Sequence, residues 1–431
     1  MNIFDPMQLM LCLMILGGGL FFTLYLKGYF FLHPIKTLRE MFYRKDKSGI
    51  SPLRALSASL SGTLGVGNIV GVAVAMITGG AGAVFWIWVS ALVSMVLKYC
   101  EITLGVKYRK KSADGYEGGP MIYMEKGIGG SFGKACGAVF AFAVVISSFA
   151  MGNIVQMSAA SDSANIIFGA DKAIFGAVFA LAIGLTIFGG FERISRVTSV
   201  LLPLMSAVYI LLCLAVIFRN AMLIPSLFKE VISAAFRFDS ALGAGGFLLS
   251  KNVSEGIAKG TFSHESGSGT APMAHANAQT DAPARQGLLG LFEVFADTII
   301  ICSLTAFVIL ISWKKGGVSE NGMELVLLSF KSEIGAWAEY IIGFSIVAFA
   351  FSTIICWAFY GKLCLAYITS SRTAQVSYIA VYILLIVFGT LLSQSFVWRT
   401  ADIGVAVMTA LNLPSLFLLR CEIKRETEVL F

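Results

Sequence analysis

Three polar clusters interrupt otherwise apolar stretches of this chain, and each carries its own chemistry. The first is Ser61-Gly62-Thr63-Leu64-Gly65-Val66-Gly67-Asn68-Ile69-Val70-Gly71. Each glycine costs a helix about 1 kcal/mol relative to alanine, so this helix is weakened locally. If it opens, the N–H groups of its second half point at a common spot and favour an anion. The freed carbonyls of its first half favour a cation. Close helix packing through Gly67 and Gly71 is the competing reading. A dinucleotide fingerprint fits poorly, because the spacing is wrong and no strand precedes it.

The second cluster is Gly260-Thr261-Phe262-Ser263-His264-Glu265-Ser266-Gly267-Ser268-Gly269-Thr270-Ala271-Pro272. His264-Glu265 starts like a zinc-protease motif, but Ser268 stands where the second histidine belongs. A carboxylate inside a span marks a functional site by default; capping of a helix break is its simpler role. The third cluster is Phe349-Ala350-Phe351-Ser352-Thr353, whose adjacent hydroxyls offer oxygens to a hard monovalent cation. Back-bonding of Ser and Thr to the preceding helical turn competes with that. Asn153 and Gln156 share a helical face, where helix-to-helix hydrogen bonding is the simpler role.

Membrane helices must position these clusters. Of 431 residues, 57% are hydrophobic and only 13% are charged, against about 25% charged in soluble domains. So much apolar surface needs lipid as solvent, which excludes a cytosolic enzyme or a secreted disulfide scaffold. The net charge of +7 is expected from basic cytoplasmic loops and does not indicate nucleic acid as a partner. The eight cysteines are scattered without a C-x-x-C and read as small hydrophobes. The first apolar stretch is too long for a secretory leader, and no Lys or Arg precedes it.

Apolar stretches predict spans near 7–32, 56–79, 83–106, 135–160, 172–190, 197–218, 286–312, 338–361, 374–393 and 401–419. Residues 221–241 read as an interfacial amphipathic helix. The polar, glycine-rich stretch 242–277 is the uncertain span. Counting it gathers Lys and Arg on one side of the membrane. The positive-inside rule therefore favours eleven spans, the N-terminus outside and the C-terminus cytoplasmic. Trp86, Trp88, Trp313, Trp337 and Trp398 then fall at outer span ends, as an aromatic belt. The expected organisation is 1–55 (extra helix and basic loop), 56–220 (first half), 221–241, 242–420 (second half) and a cytoplasmic tail, 421–431. The fold class is an all-α polytopic membrane protein with one extra N-terminal helix and a 5+5 inverted repeat. Glycine-interrupted spans 2 and 7 open the two halves, and such pairs point to a transporter's midplane site.

At this point the residues resemble a known family. Gly62 to Val72 is similar to the first core helix of the alanine/glycine:cation (sodium:alanine) symporters. Lys98-Tyr99-Cys100-Glu101, Tyr116-Glu117-Gly118-Gly119-Pro120-Met121 and Gly152-Asn153-Ile154-Val155-Gln156 match it as well. So do Glu192 to Val197, Phe262-Ser263-His264-Glu265-Ser266-Gly267 and Phe349 to Thr353 with Trp357, Tyr360 and Gly361. The resemblance runs in order over roughly 50–420.

Membership implies a leucine-transporter-type fold, no enzyme activity and no organic cofactor. It implies uptake of alanine or glycine, small neutral amino acids, driven by Na⁺. By analogy with that fold, the N–H groups of Val66 and Gly67 would hold the substrate carboxylate. Asn68, Gln156, Ser266, Gly267, Ser268 and Gly269 would line the cavity, with Trp357 closing it. Na⁺ would take the carbonyls of Ser61, Leu64 and Phe349 and the hydroxyls of Ser352 and Thr353. The family usually has Asn at 264, Ala at 266 and an acid at 362. His264 beside Glu265 opens proton coupling as an alternative, and Ser266 opens a substrate other than alanine. A sensor that kept the fold but lost transport is a further alternative. The expected location is a bacterial-type plasma membrane, with lipid as the other partner.

Overall fold

The computed structural model describes residues 6–41, 43, 50–112, 115–237, 250–280, 282–392 and 394–431. Helices dominate, because backbone in lipid has only itself to bond. Lys110–Ser112 pairs antiparallel with Gly115–Glu117, Lys110 opposite Glu117. Among the described residues, eight helices are long and apolar enough to cross a membrane.

The chain begins with α1 (Pro6–Tyr25), then α2 (Pro52–Thr63), α3 (Val70–Gly79) and α4 (Gly82–Lys107). The long α5 (Gly130–Phe168) contains a wide turn at Ala150–Ile154. It is followed by α6 (Lys172–Ile187), whose first amides Asp171 caps, and by α7 (Gly190–Arg219) and α8 (Ile224–Ala235). The second part holds α9 (Lys251–His264), the short α10 (Ala271–His275) and α11 (Pro283–Lys314), which widens at Phe295–Cys302. The remainder is α12 (Gly322–Ile334), α13 (Ala336–Ile368), α14 (Arg372–Gly389), α15 (Gln394–Leu418) and α16 (Arg420–Leu430). Of the long helices, α4 and α13 are the most deeply buried. By contrast, α7 exposes Leu204, Leu211 and Phe218, and α14 exposes Leu384 and Phe388, surfaces suited to lipid.

Several sequence expectations need correction or limits. The stretch 313–337, read as a connection, contains α12, capped by Asn321 at Met323 N–H (2.9 Å). It is too short and too charged at its ends for a hydropathy window, yet it buries Leu325, Val326 and Phe330. Two of the five tryptophans expected in the belt are buried within the protein. Trp86 is buried and donates to the Ala235 carbonyl at 3.1 Å, and Trp398 is buried against Phe262. Trp337 is exposed. In the expected amphipathic stretch, α8 buries Leu227, Val231 and Ala235, one face at four-residue spacing. Residues 238–249, at the end of that stretch and the start of 242–277, lie outside the described residues.

Candidate functional site

The helix that begins at Pro52 stops winding at Thr63. Leu64 leaves helical geometry, Gly65 is extended (φ −120°, ψ −154°), and one tight turn at Val66–Asn68 leads into α3. A side chain at 65 would have to displace Gln156 and Thr353. A Cβ there would stand 2.6 Å from Gln156 Oε1 and 2.8 Å from Thr353 Oγ1. Gly65 is thus where α5 and α13 close on the interrupted segment.

The second interruption follows His264. Glu265 takes a left-handed conformation (φ 51°), and Gly267 and Gly269 also have positive φ before α10 begins. The carbonyl that the break frees at His264 accepts from Lys98 Nζ at 2.6 Å. His264 Nδ1 accepts from the Ser266 amide at 3.1 Å, so its proton sits on Nε2, facing Ser94 (3.3 Å) and Ser90 (3.4 Å). Glu265 accepts from Thr270 Oγ1 at 2.5 Å.

The two interruptions meet through side chains. Asn68 Nδ2 donates to Ser263 Oγ at 2.6 Å and to Asp297 Oδ1 at 2.7 Å. Ser263 and Thr298 hydroxyls donate to Asp297 Oδ2 at 2.8 and 2.7 Å. Asp297 lies in the wide turn of α11, which displaces its side chain from a regular helical face. Four polar groups, from the Val66–Asn68 turn, α9 and α11, thereby share one buried spot.

A second set of oxygens gathers at the end of α2. Thr353 Oγ1 lies 2.9 Å from the Ser61 carbonyl and 3.5 Å from that of Leu64. Ser352 Oγ donates to the Phe349 carbonyl at 2.9 Å, one turn away on the same helix. The five residues expected around Na⁺ therefore stand on two touching helices, α2 with its end and α13. Their chemistry is hard oxygen, as an alkali cation requires.

The residues expected around the substrate divide into groups. The Val66 amide donates to Gln156 Oε1 at 3.1 Å, and Gln156 Nε2 donates to Met151 O at 3.2 Å, in the wide turn of α5. Gly67 packs under the Phe262 ring. Trp357 is fully buried and lies against Gly152, edge-on to Tyr360. The segment Ser266–Gly269 bonds elsewhere: Gly267 O accepts from Asn412 Nδ2 (2.9 Å), and the Gly269 amide donates to Glu101 Oε1 (3.0 Å). It is Ser263, earlier in the chain, that meets Asn68.

Sequence reading missed a buried ion pair beside the site. Lys98 Nζ lies 2.8 Å from Glu293 Oε1, both side chains fully shielded. Glu293 also accepts from Ser59 Oγ (2.9 Å) and faces His275 Nε2 (3.1 Å). Because Gln286 Nε2 approaches His275 Nδ1 at 2.7 Å, the ring presents its N–H to Glu293. One carboxylate thus joins α2, α4, α10 and α11. The available signal was two acids four residues apart, Glu293 and Asp297, inside an apolar span. Five residues before the break in α9, Lys259 meets both Asp402 oxygens at 2.7 Å and lies 5.1 Å from the Trp398 ring. Phe262 stacks edge-on to Trp398, covering the Gly67 turn.

Comparison with known proteins identifies the family and the fold. The model of the sodium:alanine symporter family matches residues 3–429. The sodium/alanine symporter AgcS of Methanococcus maripaludis is 35% identical over 436 residues, covering 99% of this chain and 94% of that protein. A Bacillus subtilis protein named "Probable sodium/glutamine symporter GlnT" is 33% identical over 416 residues, covering 95% and 85%. Among solved structures, MhsT in complex with L-phenylalanine superposes with a TM-score of 0.64 at 17% identity. That match covers 87% of this chain and 90% of the other, and it shows a shared fold. The apolar helices make this an integral membrane protein, its relatives are carriers and not enzymes, and the chain belongs to the sodium:alanine symporter family.

Proposed function

We propose that this protein takes up a small neutral amino acid, alanine or glycine, together with Na⁺ by alternating access across a bacterial-type plasma membrane. Eleven helices span, with α1 outside two inverted five-span halves, 56–220 and 242–420. The N-terminus is outside and the C-terminus cytoplasmic. The interrupted segments at 64–69 and 265–270 open the two halves and form the midplane site.

The observation that carries this reading is Thr353 Oγ1 against the Ser61 and Leu64 carbonyls. Na⁺ held by those oxygens, with Phe349 O and Ser352 Oγ completing the set, ties α2 to α13. The substrate carboxylate takes the amides of Val66 and Gly67, displacing the Gln156 oxygen that Val66 now holds. Asn68 and Gln156 line the cavity, with Ser266, Gly267, Ser268 and Gly269 on the second segment and Trp357 beneath Gly152. Ion and substrate favour the same closed state, so by linkage each raises the other's affinity.

A second reading keeps the fold but changes the cargo or the ion. His264 and Glu265 at the second break make H⁺ coupling its form, and the glutamine named for one relative makes a larger substrate its other form. Uptake into proteoliposomes decides between them. Ser352→Ala with Thr353→Ala should raise the half-saturating Na⁺ concentration at least about tenfold, one 1.4 kcal/mol step, with the protein still monodisperse. Unchanged Na⁺ dependence removes the site assignment, and accumulation driven by a pH gradient alone favours the second reading.

A further inference from the structure

Glu101 is fully buried on α4, yet among the described residues it forms no ion pair. Its Oε1 accepts from the Gly269 amide at 3.0 Å and from Asn412 Nδ2 at 2.6 Å. Among the described residues its Oε2 accepts no hydrogen bond of ordinary geometry, although the Gly267 amide also faces the carboxylate. The nearest cation in sequence, Lys98, is engaged by Glu293 and by the His264 carbonyl. The hydroxyls of Ser266, Ser268 and Thr409 are likewise buried and unpartnered. They belong to the same neighbourhood: a Cβ at Gly267 would lie 3.3 Å from Thr409 Cγ2, and one at Gly269 3.2 Å from Asn412 Cγ. A lone carboxylate in a low-dielectric interior is strongly disfavoured, so it is neutralised by a proton or by an ion. A carboxylate oxygen and hydroxyl oxygens that accept no other hydrogen bond are hard ligands with lone pairs free for a cation.

We infer that Glu101, with the orphan hydroxyls of segment 266–268 and Thr409, forms a second monovalent-cation site, distinct from the oxygen set around Thr353. It rests on the symporter reading only for its role in coupling; its chemistry stands on the burial of Glu101. The cation is H⁺ or Na⁺, and both neutralise the same oxygen. Other ionisable groups face it from each side: Lys98 and Cys100 on its own helix, Tyr123 through Asn412, and Glu293 on α11. Because Glu101 holds the Gly269 amide, occupancy sets how firmly the second interruption is held against α4 and α15. The site would thus couple cation binding to movement of that segment.

The test uses purified full-length protein and cation-linked melting temperature, which does not depend on transport. Two titrations are run: NaCl against choline chloride at fixed alkaline pH, and pH in choline chloride. In a Thr353→Ala background the first site is removed, and a residual response to Na⁺ or to pH is expected. Adding Glu101→Gln, which keeps the shape and the Oε1 acceptor, should abolish that residual response. A response in the Na⁺ arm identifies Na⁺, and one in the pH arm identifies the proton. No residual response in Thr353→Ala, or one that survives Glu101→Gln, overturns the inference. If Thr353→Ala responds to Na⁺ just as the unaltered protein does, the Thr353 assignment fails instead, and the Glu101 arm is read independently. Carbodiimide labelling of the unmutated protein, mapped by mass spectrometry, adds a readout free of folding effects. Glu101 should be modified, and either Na⁺ or rising pH should protect it at least fivefold. Labelling of Glu101 indifferent to both, or absent at every pH, overturns the inference as well.

Discussion

Asn68 Nδ2 stands 2.6 Å from Ser263 Oγ, and that single contact joins residues 195 positions apart at the ends of two interrupted helices. Both side chains also bond the carboxylate of Asp297, one to each oxygen. The interruptions are therefore not two independent irregularities but one polar centre with three contributors.

Asn68→Ala should weaken amino-acid binding more than it destabilises the protein. It removes one hydrogen bond to a buried carboxylate, worth about 1.5–3 kcal/mol, and another to Ser263 Oγ. Loss of one such bond corresponds to about tenfold or more in affinity. Equilibrium binding of radiolabelled alanine to the purified variant measures it, with melting temperature as the control. Wild-type affinity in Asn68→Ala would remove the Asn68–Asp297 centre from the binding site.

Lys98→Met should be among the most destabilising single substitutions, at about 3–5 kcal/mol, because it leaves Glu293 buried without its ion partner. Lys98→Met with Glu293→Gln should recover a substantial part of that loss. A double-mutant cycle in urea or by thermal melting reads the coupling directly. Additive effects would show that the two groups do not act as a pair.

The Lys259–Asp402 pair and the Phe262–Trp398 contact cover the Gly67 turn from one side. Lys259→Met should populate a state open on that side, so that a cysteine placed at 262 reacts about tenfold faster with a membrane-impermeant maleimide. Tenfold corresponds to about 1.4 kcal/mol of shifted population. The exchange Lys259→Asp with Asp402→Lys should return the rate toward its starting value. An alkylation rate that ignores the charge state of both residues would show that the pair does not hold this side closed.

Lys107 binds Glu422 and, at 2.9 Å, Glu426, fastening α16 to the end of α4. The hydrogen bond from Lys107 holds the Glu422 carboxyl below its ordinary value of 4.5. The folded state therefore binds that proton more weakly than the unfolded chain. The stabilisation is present above the unfolded value and is lost as pH falls through the lower folded value. Glu422→Gln should cost about 1 kcal/mol or less at neutral pH, as a half-buried surface pair does. The difference from wild type should vanish in melting curves taken at successively lower pH below 4.5. A difference that persists there would point to packing and not to charge.

Much of the architecture was legible in the residues alone. Apolar stretches between charged loops located the long helices, because lipid rewards continuous apolar runs that any local window detects. The glycine-rich runs at 62–71 and 260–269 marked where winding is weak, since the backbone cost of glycine is also local. The residue types offered for a cation, Ser61, Leu64, Phe349, Ser352 and Thr353, came from an oxygen pattern and a family resemblance. What only the tertiary structure decided is which distant groups share a spot. Lys98 with Glu101, and Glu293 with Asp297, stand out as charges in apolar helices, but their spacing does not say which of them meet. Their partners lie on other helices, and the choice among them depends on helix rotation that hydropathy does not encode. The wide turns at 150–154 and 295–302 add to this, because one extra residue per turn re-aims Gln156 and Asp297 relative to a regular helix. The burial of Trp86 and Trp398 escapes a local reading for the same reason. An aromatic ring at a span end faces lipid or a neighbouring helix according to packing, and here α8 and Phe262 cover them.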